Sequence, residues 1–83
     1  MGKEGRTAEQ LRAMAQVRLN YQREVGQMLA ADPDRGPKVG EVQPHERDAA
    51  GRNWDVSELR FGVGYMDTFR TIVNELREKY DLG

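Results

Sequence analysis

The stretch that decides the predicted fold runs from residue 7 to residue 31 and reads TAEQLRAMAQVRLNYQREVGQMLAA. It opens with a capping box, in which the Thr7 hydroxyl can accept from the backbone N–H of Gln10 and the Gln10 side chain can reach back. Apolar residues then recur at helical spacing and gather on one broad arc. Because Pro33 disfavours the α conformation at Asp32, the helix should end near residue 31. We therefore predict one helix over 7–31.

A second helix is predicted over residues 55–82. Asp55 is a natural N-cap, and Glu58 stands at the third helical position, as a capping box requires. Trp54 and Leu59 occupy the two positions of a hydrophobic staple. The apolar residues that would follow one face of this helix are Leu59, Val63, Met66, Phe69, Val73, Leu76 and Tyr80.

Two glycines complicate the second helix. Gly62 and Gly64 each cost about 1 kcal/mol relative to alanine inside a helix. The apolar arc keeps its phase across them, which favours one long helix. A kink or break remains the alternative, as does a close approach of another helix at Gly62.

The remaining residues fall into a tail and a linker. Residues 1–6 are polar and contain glycine, so we expect a flexible tail. Residues 32–54 contain three prolines and are predicted to be an irregular linker. A short helix over 44–50 fits within it, because Pro44 suits the first helical position and Gly51 the position after the last turn.

The predicted fold is an all-α single domain over residues 1–83, built as a two-helix hairpin. Each apolar arc spans more than about 150°, which is wider than one neighbouring helix can cover. A second copy would solve this by forming a dimeric four-helix bundle. The competing solution is that the linker folds over the hairpin, since it carries Val39, Val42 and Trp54.

Composition excludes several classes of protein. The chain has 83 residues, no cysteine and a formal net charge of −1. It therefore has no disulfide framework, thiolate metal site or cysteine nucleophile. Without a long apolar stretch or a secretory signal, we expect no contact with a membrane and a cytoplasmic location. The balanced charge gives no overall attraction to nucleic acid.

Arg18 and Gln22 are the least expected residues on the first helix, because they lie within its apolar arc. The arginine stem could pack on apolar surface with its head in water. It could instead form an ion pair across an interface, with Glu58 or Glu75 as candidate acceptors. A ligand or phosphate site is the third alternative, since arginine recognises such groups in bidentate fashion.

Trp54 has two interpretations, a hydrophobic staple or an anchor at an interface, where tryptophan is enriched. The aromatic residues of both arcs would form the core or, if their face is exposed, the place where a partner docks. The predicted partner-binding residues are Arg18, Tyr21, Gln22, Trp54, Phe61, Tyr65 and Phe69.

No catalytic, cofactor-binding or metal-binding residues are predicted. His45 lies in the segment His45–Asp48, which mixes it with carboxylates, but a metal site needs further ligands and the chain has no second histidine. Ser57 is the one serine, and no spacing implies a Ser–His–acid arrangement. We therefore expect a protein that is not an enzyme.

The function predicted from these features is protein binding. The chain would act as an accessory subunit, regulator or inhibitor of a larger protein through its apolar helical face, and we expect it to form a homodimer. The alternative is a nucleic-acid-associated regulator that uses arginines of the first helix and the linker. In that case binding should weaken steeply as salt rises.

Overall fold

The described part of the chain, residues 3–32, 34, 36–62 and 64–83, folds into three helices and six short strands in the computed structural model. The helices are α1 (Ala8–Asn20), α2 (Arg23–Ala31) and α3 (Met66–Lys79). The strands are β1 (Glu4–Arg6), β2 (Lys38–Val39), β3 (Gln43–Pro44), β4 (Trp54–Asp55), β5 (Leu59–Arg60) and β6 (Tyr80–Leu82). The predictions of an all-α hairpin and of a dimeric four-helix bundle are therefore wrong. Pro33 and Val63, on which parts of those predictions rested, lie outside the described residues.

The first helix begins where its capping box predicts. The Thr7 hydroxyl accepts from the backbone N–H of Gln10 at 3.1 Å, and the Gln10 side chain accepts from the N–H of Thr7 at 2.9 Å. The helix does not continue to residue 31, because Gln22 adopts an extended conformation with ψ 132°. The predicted single helix is thus two helices, α1 and α2.

The second predicted helix begins much later than expected. Asp55 is not its N-cap but part of β4, where its carboxylate accepts from the N–H of Val56 at 2.7 Å. Phe61 (φ 56°) and Gly64 (φ 92°) are left-handed, a conformation that a right-handed helix excludes. The chain therefore becomes helical only at Met66. Of the alternatives for Gly62 and Gly64, the structure contains the break and not one long helix.

Residues 38–60 form a two-stranded antiparallel ribbon, called the ribbon below, in place of an irregular linker. Lys38 faces Arg60 at one end and Pro44 faces Trp54 at the other. The same number of residues separates the two pairs along each strand, so both pairings share one register. The Gly40 N–H donates to the Glu58 carbonyl at 2.9 Å between them.

A reverse turn over 48–51 closes the ribbon where a short helix over 44–50 was predicted. The Gly51 N–H donates to the Asp48 carbonyl at 3.0 Å, and Gly51 is left-handed with φ 80°. The Asp48 carboxylate accepts from the N–H groups of Ala50 and Arg52 at 2.9 and 3.0 Å. Aspartate at the first position and glycine at the last are typical of such turns.

The core lies between α1, α3 and the ribbon. Trp54 and Phe69 are fully buried at its centre, and the Trp54 indole N–H donates to the Tyr80 carbonyl at 2.9 Å. The other buried members are Leu11, Ala15, Leu19, Val39, Val56, Ile72, Val73 and Leu76. The ribbon thus covers the apolar faces of the helices within one chain. The width of the two arcs consequently no longer requires a second copy.

Residues 4–6, expected to be part of a flexible tail, pair in parallel with the C-terminal strand β6. The Lys3 ammonium donates at 2.9 Å to the carbonyls of Gly51 and of Arg77. It therefore joins the N-terminal segment to both the ribbon turn and the last turn of α3. On the other edge of β6, the Asn53 side-chain amide exchanges two hydrogen bonds of 3.0 Å with the backbone of Leu82.

Charged side chains fasten the ribbon to α3. The Arg70 guanidinium donates to the Asp55 carboxylate at 3.2 Å and to the Val56 carbonyl at 2.8 Å. Arg77, whose side chain is only 9% exposed, approaches the carboxylates of Asp55 and Asp48 at 3.7 and 3.8 Å. Burial raises the pKa of Asp55, but its hydrogen bonds with Arg70 and Val56 and the positive charges of Arg70 and Arg77 outweigh burial, so its pKa lies below the ordinary value.

Candidate functional site

An exposed apolar stripe, called the α1 stripe below, consists of Ala13 and Val17 on α1 and of Tyr21, which caps the C-terminal end of that helix in a helical conformation. These residues are spaced four apart and therefore lie along one line of the surface. Val17 is 50% exposed and Tyr21 is 83% exposed. Ala13 and Val17 also line a depression of about 330 Å³, together with Met14, Arg18 and Leu76.

The α1 stripe faces outward because the other sides of α1 are occupied. Leu11, Ala15 and Leu19 point into the core. On the flank beside the ribbon, the Gln16 amide donates to the Pro37 carbonyl and accepts from the Val39 N–H, both at 2.9 Å. The stripe is therefore presented on a helix that is fixed on two sides.

An ion pair borders the α1 stripe on the side of α3. Arg18 donates to the Glu75 carboxylate, so the acceptor is one of the two that the sequence suggested. Both side chains remain partly exposed, at 38% and 47%. The hydrogen bond from Arg18 and its positive charge hold the pKa of Glu75 below the ordinary value. The pair thus lies within one chain, at the edge of a surface open to solvent.

The other predicted partner-binding residues fall into three places. Gln22 is exposed at the junction of α1 and α2, where it shares a shallow depression with the half-buried Tyr65. Phe61 is 68% exposed but lies at the base of the ribbon, in a different groove. Trp54 and Phe69 are fully buried in the core. The structure thus brings Arg18, Tyr21 and Gln22 to one side of the molecule.

The sequence pattern placed Val17 and Tyr21 on the same apolar arc as Leu11 and Ala15, and Ala13 on the opposite, polar side. In the structure Leu11, Ala15 and Leu19 are buried, whereas Ala13, Val17 and Tyr21 are exposed. The signal that could have separated these two groups is that each follows its own line along the helix at a spacing of four residues.

The one serine and the one histidine of the chain do not come together in the structure. Ser57 and His45 lie on opposite strands of the ribbon, about four ladder positions or about 13 Å apart. The His45 ring contacts the carbonyl of the adjacent Glu46 at 2.6 Å. Across residues 3–32, 34, 36–62 and 64–83, no three histidine, cysteine, aspartate or glutamate side chains come together in a way that could hold a metal ion.

None of the helices in the described part of the chain combines the length and the apolar character needed to cross a bilayer. Comparison with protein families, with curated proteins and with solved structures found no match for this chain.

Proposed function

We propose that this protein works by binding another protein through the α1 stripe, as an accessory subunit, regulator or inhibitor of that partner. The observation that carries the proposal is that Val17 and Tyr21 stay exposed on a fixed helix although the core is already complete without them. Exposed apolar side chains in a row, next to an apolar depression, are typical of docking surfaces.

The chemistry of the surface favours an apolar helix as the partner element. A helix lays side chains at spacings of three and four into such a depression. Met14 and Leu76 form its floor, and Arg18 with Glu75 forms a polar border that can exchange contacts with charges of the partner. We place the protein in the cytoplasm, because a chain without cysteine does not depend on disulfides and so suits a reducing compartment.

Affinity capture from the source cells tests the proposal, using surface variants that should keep the wild-type fold. We expect wild type and Phe61→Ser to retain the same partner, and Val17→Glu and Tyr21→Glu to lose it, because a carboxylate would be desolvated in the interface. Circular dichroism establishes that each variant is folded. Phe61 is the matched control because it is exposed but lies away from the stripe.

Light scattering of the same four proteins distinguishes self-association from binding a different chain. A mass that doubles in wild type and Phe61→Ser but not in Val17→Glu makes the partner a second copy, as the sequence predicted. Capture of the same protein by Val17→Glu and by wild type would contradict the proposal.

A further inference from the structure

A second surface, independent of the α1 stripe, lies at the base of the ribbon. It is a groove of about 560 Å³, the size range of small-molecule sites, and its lining is mostly charged. Three cations and two carboxylates surround it, next to one exposed aromatic ring. These six residues are Arg12, Lys38, Arg60, Glu41, Glu58 and Phe61.

Basic side chains from three elements border the groove. Lys38 and Arg60 are partners across the β2–β5 pairing. The Glu58 carboxylate accepts from the Arg60 guanidinium at 2.8 Å. Arg12, on α1, is held at the groove by a hydrogen bond of 3.1 Å from its Nε to the Val39 carbonyl. An anion in the groove would therefore meet basic residues from β2, β5 and α1.

The aromatic residue of the groove, Phe61, has an unusual backbone conformation. Phe61 directly follows β5 and is left-handed, with φ 56°, a conformation that residues other than glycine rarely adopt. The residue is 68% exposed, so burial of its side chain does not offset this unfavourable conformation. Strained residues of this kind cluster at binding sites. Basic residues from three elements and an exposed aromatic residue in an unfavourable backbone conformation thus share one groove.

We propose that this groove binds a nucleotide unit, with the base stacked on Phe61 and the phosphate between Lys38, Arg60 and Arg12. Stacking on an aromatic ring with phosphates on neighbouring cations is the usual mode of single-strand recognition. Glu41 and Glu58 are acceptors for the hydroxyl and amino groups of the ligand, and their charge confines the phosphate to the side of the cations. The unit can come from a free nucleotide or from a single strand.

Fluorescence anisotropy with a labelled single-stranded RNA of about eight nucleotides tests the proposal, with free adenosine monophosphate as the competitor. Phe61→Gly should weaken binding about tenfold while leaving the fold intact, because glycine adopts the left-handed conformation readily. Arg60→Gln should weaken binding and reduce the slope of log affinity against log salt by about 0.7. Met66→Ser and Arg23→Gln, at exposed residues outside both the groove and the α1 stripe, should bind like wild type.

The outcomes separate the sources of the ligand. Tight RNA binding that the mononucleotide does not displace assigns the groove to a single strand, whereas displacement at similar concentrations assigns it to the free nucleotide. Inorganic phosphate or an acidic peptide competing as well as the nucleotide would overturn the proposal, because the ring would then contribute nothing. Equal binding by Phe61→Gly and Met66→Ser, or no binding at low salt, would overturn it as well. None of these results bears on the α1 stripe.

Discussion

Helix α3 is held on its two sides by different means. Towards α1 it contributes apolar side chains such as Phe69 and Leu76 to the core. Towards the ribbon it adds the guanidinium groups of Arg70 and Arg77, which meet the carboxylates of Asp55 and Asp48 and the Val56 carbonyl. Apolar burial stabilises in proportion to area and has little direction. Charged hydrogen bonds depend on geometry and on protonation, so the ribbon side should respond to changes that the helical side tolerates.

Replacement of Trp54 by alanine is expected to have the largest effect, because this side chain belongs to both sides. It is fully buried in the core, and its indole N–H holds β6 through the Tyr80 carbonyl. Trp54→Ala should lower the free energy of unfolding by about 3–5 kcal/mol. Urea unfolding followed by circular dichroism measures this loss.

Trp54→Phe separates the two contributions of the tryptophan. It keeps most of the apolar volume and removes the hydrogen bond to Tyr80, so it should cost less than the alanine variant. Equal losses for the two variants would show that the hydrogen bond, and not burial, anchors the ribbon.

Replacing a glycine by alanine should have opposite effects on stability in the ribbon and in a helix. A Cβ at Gly40 would lie 2.6 Å from the Glu58 Cβ and 2.9 Å from the Glu58 carbonyl oxygen, so the strands would have to move apart. Gly40→Ala should therefore cost about 1–3 kcal/mol. A Cβ at Gly26 in α2 would meet only ordinary contact at 3.6 Å.

Gly26→Ala is therefore the matched control and should stabilise the protein by up to about 1 kcal/mol, since alanine favours the helix. Thermal unfolding of both variants measures the two shifts in Tm. A stabilised Gly40→Ala would mean that the two strands of the ribbon are not held at this distance in solution.

The sequence predicted α1 better than the ribbon because the signals of α1 are local. The contacts of the capping box lie within Thr7–Gln10, so they do not depend on the rest of the fold. Gly51 shows the opposite case. Glycine is favoured wherever φ is positive, so the same residue satisfies both a helix end and a reverse turn. The pairing of Trp54 with Pro44 and the hydrogen bonds between Asn53 and Leu82 decide between them, and neither leaves a local pattern.

For the candidate surfaces, the sequence likewise indicated single residues but not how the fold arranges them. Tyr21 and Arg18 could be singled out because an aromatic and a charged residue interrupt or extend an apolar arc on a helix. Phe61 could be named, but its left-handed conformation could not be predicted, because residues other than glycine rarely adopt it. The sequence predicts Trp54 beside a helix N-cap at Asp55. An aspartate suits such a cap as well as it suits the ion pair with Arg70 that the structure contains.

The capping box gives a prediction confined to the helical side. Thr7→Ala removes the acceptor for the Gln10 N–H and should cost about 1 kcal/mol. Thr71→Ala is the control, because its hydroxyl donates to the Asp67 carbonyl within α3, a bond that does not cap a helix. Hydrogen exchange should show faster opening of the first turn of α1 in Thr7→Ala alone. Equal protection in both variants would argue against a role for the box in solution.

Acid should weaken the ribbon side through the carboxylate of Asp55, with the smallest effect of the series because 31% of its side chain reaches solvent. Its pKa in the folded protein lies below 3.8, so the unfolded chain binds more protons as the pH falls. The stabilisation is complete above the ordinary pKa and disappears as the pH drops through the folded-state value. Urea midpoints between about pH 7 and pH 2 measure this loss. Asp55→Asn should flatten the profile more than Glu75→Gln, because the Glu75 side chain is 47% exposed and its pair with Arg18 is more strongly screened. A flatter profile in Glu75→Gln would instead assign the acid-sensitive contact to the boundary between α1 and α3.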